Sequence, residues 1–305
     1  MDTMTDLLAA FKTDMQRRKL SNTTISGYNN ILKNYNKFLQ SRNVEPQAVT
    51  RQDLKAYLDL LIDQDLSYKT VSCRFGAISN FYDFLVFEEM LSANPVRAVQ
   101  KRYLQTYKNQ HGHTHQLISV EQAAALVEEL ADIRDKALLT LLFKTGIRRK
   151  ELIAIDVTDI DFENQSIVLK PTPKRSNRTV FFDDEAEGYL KRWLRVREAR
   201  NLKKSPALFI SAQGRLKAHG IDMVLRNAAV KLGLHDCNSE DMEKHFSAHC
   251  CRHWLTTHLD RAGMKRNHIQ VLRGDVGNEA IDIYIHNDME KIRKEYLACV
   301  PRLSA

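Results

Sequence analysis

Apolar side chains recur at helical spacing through most of the chain. In the first hundred residues, the runs Tyr28–Leu39 and Leu54–Ile62 carry an apolar residue at every third or fourth position, a spacing typical of amphipathic helices that pack on a core. The pair Asn94-Pro95 ends this pattern, because a residue that precedes proline disfavours the helical conformation. The pattern predicts a domain of about four helices over residues 1–100.

The second half of the chain has a different pattern. Residues 101–116 are polar and separate two regions of dense apolar periodicity, as an interdomain linker would. Short β-rich runs at 165–169 and 179–182 then flank a basic turn, and helical spacing returns from Asp183 to Ala305. We therefore predict a mainly α fold with a small β-sheet, made of a helical domain (1–100), a linker (101–116) and an α+β domain (117–305).

Composition narrows the class of protein. The 305 residues include 46 basic and 38 acidic side chains, a net charge of +8, which favours a polyanionic partner. No stretch approaches the roughly 20 apolar residues of a membrane span. The N-terminus has neither the basic start nor the cleavage site of a signal peptide. These features predict a cytoplasmic protein that does not bind membranes.

Cysteine and histidine positions argue against a metal site. The five cysteines are scattered without a CxxC pair, so we expect reduced thiols rather than disulfides or a zinc ribbon. Three histidines alternate in the polar linker, where exposure to solvent is the simpler interpretation. His249 and His253 have the spacing of a metal pair, but the sequence offers no evident third ligand. We predict neither metal nor cofactor.

Two segments carry residues suited to phosphate chemistry. Arg148 follows Gly146 at a turn between two predicted helices, where short backbone geometry would hold its guanidinium rigidly. His249 and Arg252 stand at positions i and i+3 of one helix, so both project from the same face. A rigid guanidinium can pair with two phosphate oxygens. For Arg148 alone, a solvated charge near a helix end is an equally consistent interpretation.

A basic turn and a tyrosine complete the set. Lys170, Lys174, Arg175 and Arg178 crowd the turn between the β-runs, where an ordinary charged loop is the alternative. Tyr284 lies among isoleucines, a position that by itself favours packing in a core. Together, two arginines, a histidine, a lysine and a tyrosine fit attack by a tyrosyl oxygen on a phosphodiester.

These motifs resemble the tyrosine recombinases, the phage integrase and Xer group. TGIRRKEL, the hairpin with Lys174, HCCRH and the tyrosine of YIH occur in that order. SNTTISGYNNILKNYNKFL and SYKTVSCRFGAISNFYDFL resemble the family's helical core-binding (SAM-like) domain, while LRGD and IDIY resemble archaeal integrase-like members. The resemblance covers nearly the whole chain. It implies a site-specific DNA recombinase or integrase of the kind found on mobile elements, acting in DNA recombination and integration.

The resemblance also assigns a role to each residue. It implies that Arg148 and Arg252 clamp the scissile phosphate and that Lys174 protonates the leaving 5′ oxygen. It implies further that His249 assists proton transfer and that Tyr284 attacks to form a 3′-phosphotyrosyl link. Because one phosphodiester replaces another, the reaction needs no ATP.

The match departs from the family pattern at two positions. The usual glycine-rich turn is here PTPKRSN, so Lys170 is a second candidate for the lysine beside Lys174. Nine residues before the tyrosine, where the family usually has LGH, this chain has Asp275. An ionised aspartate can accept a hydrogen bond but cannot donate one. Asp275 is still included among the predicted catalytic residues.

The family implies duplex DNA as the partner, gripped by both domains of a C-shaped clamp. We assign contacts with DNA to Asn22, Thr23, Lys69, Thr70, Arg74, Arg175, Arg178, Lys217 and His219. The family further implies a homotetramer that exchanges a C-terminal helix. The segment DMEKIRKEYLACV, with an apolar stripe at Met289, Ile292, Tyr296 and Leu297, is the candidate, and packing on its own domain is equally consistent.

Two other functions use much of the same evidence. A type IB-like topoisomerase would use the same residues to relax supercoils without pairing two sites. A DNA-binding regulator on an integrase scaffold would be expected to have lost catalytic side chains, whereas at least five of the six expected positions are occupied here.

Overall fold

The computed structural model describes residues 4–104, 116–171, 178–201, 203–239, 241–275 and 288–303. The chain divides into two compact units, Met1–Gly112 and His113–Ala305. Each unit has its own hydrophobic core. The mainly helical fold with small sheets agrees with the predicted fold class.

The first unit is helical. Its helices are α1 (Met4–Arg17), α2 (Asn22–Ser41), α3 (Arg51–Asp63), α4 (Tyr68–Phe87) and the single turn α5 (Val96–Val99). Ser21 and Ser67 cap α2 and α4, because each hydroxyl accepts a hydrogen bond from the backbone N–H three residues on. The two serine caps fix where α2 and α4 begin.

The end of the first unit lies beyond the predicted boundary. Residues Gln100–Leu104 continue α5 as a π-helical turn, and Leu104 is buried in the core of this unit. Helix therefore extends into the segment that was predicted as linker from residue 101. The rest of that segment, 105–115, lies outside the described residues.

The second unit combines helices with two short sheets. Its helices are α6 (Val120–Glu128), α7 (Ile133–Thr145), α8 (Arg149–Ala154), α9 (Asp184–Arg200), α10 (Ala218–Lys231), α11 (Ala248–Arg261), α12 (Arg266–Arg273) and α13 (Met289–Cys299). Its strands are β1 (Ile160–Asp161), β2 (Ser166–Leu169), β3 (Arg178–Phe181), β4 (Ile210–Ser211) and β5 (Gly214–Arg215).

The predicted hairpin is present. Strands β2 and β3 pair antiparallel, with Ser166 opposite Phe181 and Leu169 opposite Arg178, and β1 adds to the other edge of β2. The register brings Arg178 to the end of the sheet from which the basic turn departs. The small β4–β5 pair was not predicted, since its strands have only two residues each.

Helix α7 lies at the centre of the second unit. It packs against α9 and α11, and its residues from Ala137 to Thr145 are all buried, so it has no polar stripe facing solvent. As the sequence predicted, it ends at Gly146 in the left-handed conformation, with φ of 57°. This sharp end places Arg148 at the start of α8.

A buried lysine ties the C-terminal tail, residues 300–303, to α7. The side chain of Lys144 is fully buried and its ammonium donates to Asp183 (2.5 Å), to Glu185 and to the carbonyl oxygen of Pro301 (2.5 Å). Glu185 also accepts from the backbone N–H of Leu303 at 2.9 Å. The three donors of one ammonium thus join α7, the start of α9 and the tail.

Helix α13 packs on its own unit. Ile292 and Tyr296 are buried in the core of the second unit, and the Tyr296 hydroxyl donates to the carbonyl oxygen of Lys144 at 2.7 Å. Met289 and Leu297, the other members of the predicted apolar stripe, pack partly buried against the same core. Within this chain, the stripe is therefore satisfied in cis.

Among the described helices, none combines the length and the apolar character needed to cross a membrane. The five cysteines are free thiols, and the adjacent pair Cys250 and Cys251 is buried within α11, as predicted. Burial raises the pKa of the Cys251 thiol well above its usual value, so we assign that pair to packing.

Candidate active site

Three predicted catalytic residues line one cavity. A cavity of about 290 Å³ is bordered by Arg148, His249 and Arg252. Ser247 and Ala248, where α11 begins, form another part of its wall. The N-terminus of a helix favours an anion, because its first N–H groups have no partner within the helix. The cavity thus combines two guanidinium groups, an imidazole and a helix N-terminus.

Arg252 is the more deeply placed of the two arginines. Its side chain is 3% exposed, and it donates from Nη1 to the Gly146 carbonyl oxygen (2.9 Å) and from Nη2 to that of Arg273 (2.8 Å). Burial, together with the nearby positive charge of Arg148, lowers the pKa of Arg252 to about 10. At neutral pH it remains a cation held in one orientation.

Arg148 reaches the same place from the start of α8. Its side chain is 35% exposed, and Nη1 donates to the carbonyl oxygen of Arg273 at 3.3 Å. Its backbone N–H donates to Glu151 Oε2 at 2.7 Å, which caps the helix from inside its first turn. The expectation of a rigidly held arginine at this turn agrees with these contacts.

Asp275 joins the arginines. Its carboxylate lies 3.0 Å from Arg148 Nη2 and 3.3 Å from Arg252 Nη2, and it forms a third ion pair with Arg273 Nε at 2.7 Å. The residue that departs from the family pattern therefore contacts both predicted phosphate-binding arginines.

Arg178 is a correction to the predicted DNA contacts. Its side chain is only 10% exposed and forms a bidentate ion pair with the buried Glu151, at 2.6 and 2.9 Å. Although burial opposes ionisation of Glu151, the hydrogen bonds from Arg178 and from the Arg148 backbone lower the pKa of its carboxyl group. Because its guanidinium is committed inside the protein, Arg178 supports the arginine cluster rather than reaching for DNA.

Gly274 leaves space for the side chain of Arg178. It has φ of +63°, and a β-carbon added there would stand 2.9 Å from Arg178 Cδ. Any residue with a side chain would be strained at this φ and would also press on Arg178. Glycine is favoured here for both reasons.

Of the two candidate lysines, Lys170 and Lys174, the structure describes only Lys170. Lys170 forms ion pairs with Asp156 and Asp159, and the hydrogen bond with Asp156 raises the pKa of its ammonium. Lys174 and Arg175 lie outside the described residues, as does Tyr284. Their assignments stay predictions.

The predicted DNA contacts of the first unit lie where two helices begin. Asn22 and Thr23 are exposed in the first turn of α2, and Lys69 and Thr70 are exposed in the first turn of α4. Arg74, one turn further along α4, is half-buried. In the second unit, the remaining two predicted contacts are exposed at the start of α10: Lys217 and His219.

Sequence reasoning missed the residues that hold the arginines. Glu151 accepts a hydrogen bond from the Arg148 backbone N–H, and the Arg273 carbonyl oxygen accepts from the guanidinium groups of both Arg148 and Arg252. Glu151 had one local signal, because a Glu three residues after the start of a helix often caps it. Within the described residues, no group of three or more histidine, cysteine or acidic side chains is placed to hold a metal ion.

Comparison with known families gives two matches along the chain. Residues 116–291 match the phage integrase family, and residues 7–90 match the N-terminal SAM-like domain of phage integrases. Among curated relatives, the tyrosine recombinase XerC of Oceanobacillus iheyensis is 30% identical, over 92% of this chain and 90% of the relative. The XerC of Herpetosiphon aurantiacus is 27% identical, over 88% of this chain and 86% of the relative.

Solved structures show the same fold. An integrase of the Tn1549 transposon in complex with a circular intermediate DNA superposes with a TM-score of 0.72 at 18% identity, covering 97% of this chain and 98% of that one. A lambda integrase dimer bound to a COC′ core site gives a TM-score of 0.69 at 13% identity, covering 94% of this chain and 78% of that one. The chain therefore belongs to the phage integrase family and is a tyrosine-type site-specific recombinase.

Proposed function

We propose that this protein binds duplex DNA through both units and exchanges strands at a specific site with Tyr284 as the nucleophile. The observation that carries the proposal is the single cavity on which Arg148, His249 and Arg252 meet, although α8 and α11 are far apart along the chain. The size and charge of this cavity suit a phosphodiester. The wider evidence is that relatives matching nearly the full length are tyrosine recombinases.

The proposed reaction replaces one phosphodiester by another. The phenolic oxygen of Tyr284 attacks the phosphorus, a bond to the DNA 3′ phosphate forms, and the bond to the 5′ oxygen breaks. Arg148 and Arg252 stabilise the charge that grows on the non-bridging oxygens in the transition state. His249 takes or returns a proton on the attacking side, and Lys174 gives a proton to the leaving 5′ oxygen. Attack by a 5′ hydroxyl from a partner strand reverses the steps and rejoins DNA.

Contacts with DNA outside the cavity would come from helix N-termini. The exposed first turns of α2, α4 and α10 each present polar or basic residues beside backbone N–H groups, an arrangement that favours phosphate. We propose Asn22, Thr23, Lys69, Thr70, Arg74, Lys217 and His219 as these contacts, with Arg175 in the hairpin turn. Access to chromosomal DNA also supports a cytoplasmic location.

Covalent capture tests the proposal. A library of duplexes with a randomised core and a nick beside it lets the short 5′-hydroxyl strand diffuse away, so that a cleaved adduct accumulates. We expect an adduct that survives denaturation, with Tyr284 as the modified residue, and none with Tyr284→Phe. Tyr189→Phe, on α9, should form the adduct normally. An adduct on Tyr284→Phe, or none from the wild type on any duplex, would contradict the proposal.

The captured duplex then separates recombination from relaxation. A supercoiled plasmid that carries two copies of it should yield deletion or inversion products. Relaxation without recombinant products would indicate an activity like that of type IB topoisomerases.

We further propose a homotetramer on DNA in which α13 is exchanged between copies. The contacts that Ile292 and Tyr296 make in cis could be made identically by a second copy, so exchange would cost little once copies are close together. Cross-linking of a mixture of ¹⁴N- and ¹⁵N-labelled protein on the captured duplex tests this. Mixed-isotope cross-links from α13 to α7 are expected, and cross-links of one isotope only would refute exchange.

A further inference from the structure

We propose that Asp275 is a positioning residue that fixes the guanidinium groups of Arg148 and Arg252 from the side away from the phosphate cavity. The inference rests on the proposed function. Where the family pattern has a histidine that can donate a hydrogen bond, this chain has a carboxylate that accepts from the arginines instead.

Arg273 and Asp275 each accept hydrogen bonds from both arginines. Arg148 donates to the Asp275 carboxylate (3.0 Å) and to the Arg273 carbonyl oxygen (3.3 Å). Arg252 donates to the same carbonyl oxygen (2.8 Å) and to both carboxylate oxygens (3.3 Å each). Because a guanidinium is planar, two acceptors fix the direction of its plane as well as its position. One carboxylate and one carbonyl therefore orient both groups together.

The backbone, rather than a flexible side chain, determines where this carboxylate lies. The N–H of Asp275 donates to the Gln270 carbonyl oxygen (3.0 Å) and the N–H of Gly274 donates to that of Val271 (2.9 Å), the two bonds of a Schellman motif that ends α12. Arg178 adds a bond from Nε to the Leu272 carbonyl oxygen at 3.1 Å. The end of α12 is thus a rigid platform, and the short Asp275 side chain projects from it.

Asp275 does not line the cavity that we assign to the phosphate. Arg148 and Arg252 line the 290 Å³ cavity that contains His249. Asp275 and Arg273 line a second cavity of about 440 Å³, together with His253 and Asp260, and the two cavities share no lining residue. A phosphate that enters beside His249 can therefore contact the arginines while they stay hydrogen-bonded to Asp275.

Removing the charge of Asp275 should affect DNA binding and DNA cleavage differently. A carboxylate beside three arginines offsets their mutual repulsion, but it also reduces the positive potential that a bound phosphate experiences. Removing the charge should leave DNA affinity equal or improved. The same change should slow cleavage, because the arginines are no longer aligned for the transition state. A residue needed only for folding would lower both.

The test measures single-turnover cleavage and affinity on the duplex captured by the wild-type protein. For Asp275→Asn we expect cleavage at least tenfold slower, a fall typical of a misaligned group, with a dissociation constant no weaker than that of the wild type. Asp275→His, which restores a donor, should also be slow, because a neutral imidazole offers one acceptor in place of a carboxylate. Asp260→Asn is the matched control: it removes a charge from the same second cavity, where Asp260 pairs with the exposed Arg266, and it should cleave normally.

The outcomes distinguish this inference from the proposed function. If the wild type captures no duplex, the proposed function fails. If the wild type cleaves and Asp275→Asn or Asp275→His cleaves equally fast, the positioning role is wrong and the recombinase mechanism stands. Loss of affinity in parallel with loss of rate would also overturn the inference. Thermal unfolding of each variant identifies any loss caused by misfolding.

Discussion

Arg148 and Arg252 donate hydrogen bonds to one and the same acceptor, the carbonyl oxygen of Arg273, at 3.3 and 2.8 Å. Neither arginine is oriented by its own helix alone. The carbonyl belongs to the last residue of α12, a position at which helical carbonyls have no partner within the helix. The C-terminal end of α12 therefore orients two arginines that belong to other helices, Arg148 at the start of α8 and Arg252 in α11.

Replacing either arginine by lysine should separate cleavage from binding. Arg148→Lys and Arg252→Lys keep a positive charge but lose the planar group that the Arg273 carbonyl and a phosphate contact together. We expect single-turnover cleavage to fall by about 10- to 100-fold, and duplex affinity by a few-fold only. Arg149→Lys is the control, since Arg149 lines the same cavity but is paired with Asp222. Equal losses of rate and affinity would make the two arginines simple phosphate anchors.

Glu151→Gln should destabilise the protein in a manner that depends on pH. The substitution leaves the nearly buried Arg178 cation without its partner, which costs about 3 kcal/mol for a buried pair. Because the pKa of Glu151 is lowered in the folded protein, its contribution is fully present above the unfolded pKa and is lost as the pH falls through the folded value. Urea unfolding at pH 7 and at lower pH should show the difference from wild type shrinking with acidification.

A surface glutamate provides the comparison for that experiment. Glu198 is 85% exposed and lies 3.8 Å from Arg197, so Glu198→Gln should change the free energy of unfolding by less than about 1 kcal/mol at any pH. A pH-independent loss for Glu151→Gln would show that the carboxylate is not ionised in the folded protein.

Alanine substitutions at two glycines of similar backbone conformation distinguish the cost of backbone strain from the cost of a steric clash with a side chain. Gly233 and Gly274 have φ of +68° and +63°, but only at Gly274 would a β-carbon meet another side chain, that of Arg178. We expect Gly233→Ala to cost about 1 kcal/mol and Gly274→Ala at least about 1 kcal/mol more. Only Gly274→Ala should also slow cleavage, because Asp275 follows it. Equal free energies of unfolding for the two variants would mean that the Arg178 side chain moves aside at no cost.

Salt dependence tests the DNA contact assigned to α10. Lys217 stands at the start of this helix and Lys231 at its end, where Lys231 pairs with Glu129. Lys217→Gln should reduce the slope of log affinity against log salt by about 1, the value for one phosphate contact. Lys231→Gln should leave the slope unchanged. The reverse result would place the DNA at the other end of the helix.

Local patterns predicted the elements and three of the site residues. Gly146 signalled the end of α7 because glycine suits the left-handed conformation, and the i, i+3 spacing of His249 and Arg252 placed both on one face of α11. Each of these signals lies within one or two helical turns. Such signals depend on backbone geometry, which the local sequence largely determines.

The supporting contacts between residues far apart in the sequence had no such signal. Arg178 and Glu151 pair across 27 positions, and Asp275 meets Arg148 across 127. Only the tertiary fold brings these residues together, so charge in the sequence alone suggested that Arg178 faces DNA. The same limit applies to Lys170, whose partner Asp156 lies 14 positions earlier in the chain.

The burial of Lys144 makes its amine a reporter of the C-terminal tail. Its side chain has no exposure, and its three donors are used by Asp183, Glu185 and the Pro301 carbonyl oxygen. An acylating reagent attacks only a deprotonated, accessible amine, so this lysine should resist labelling while the tail is seated. The labelling rate of Lys144 would then measure how often the tail departs, before and after the protein assembles on DNA.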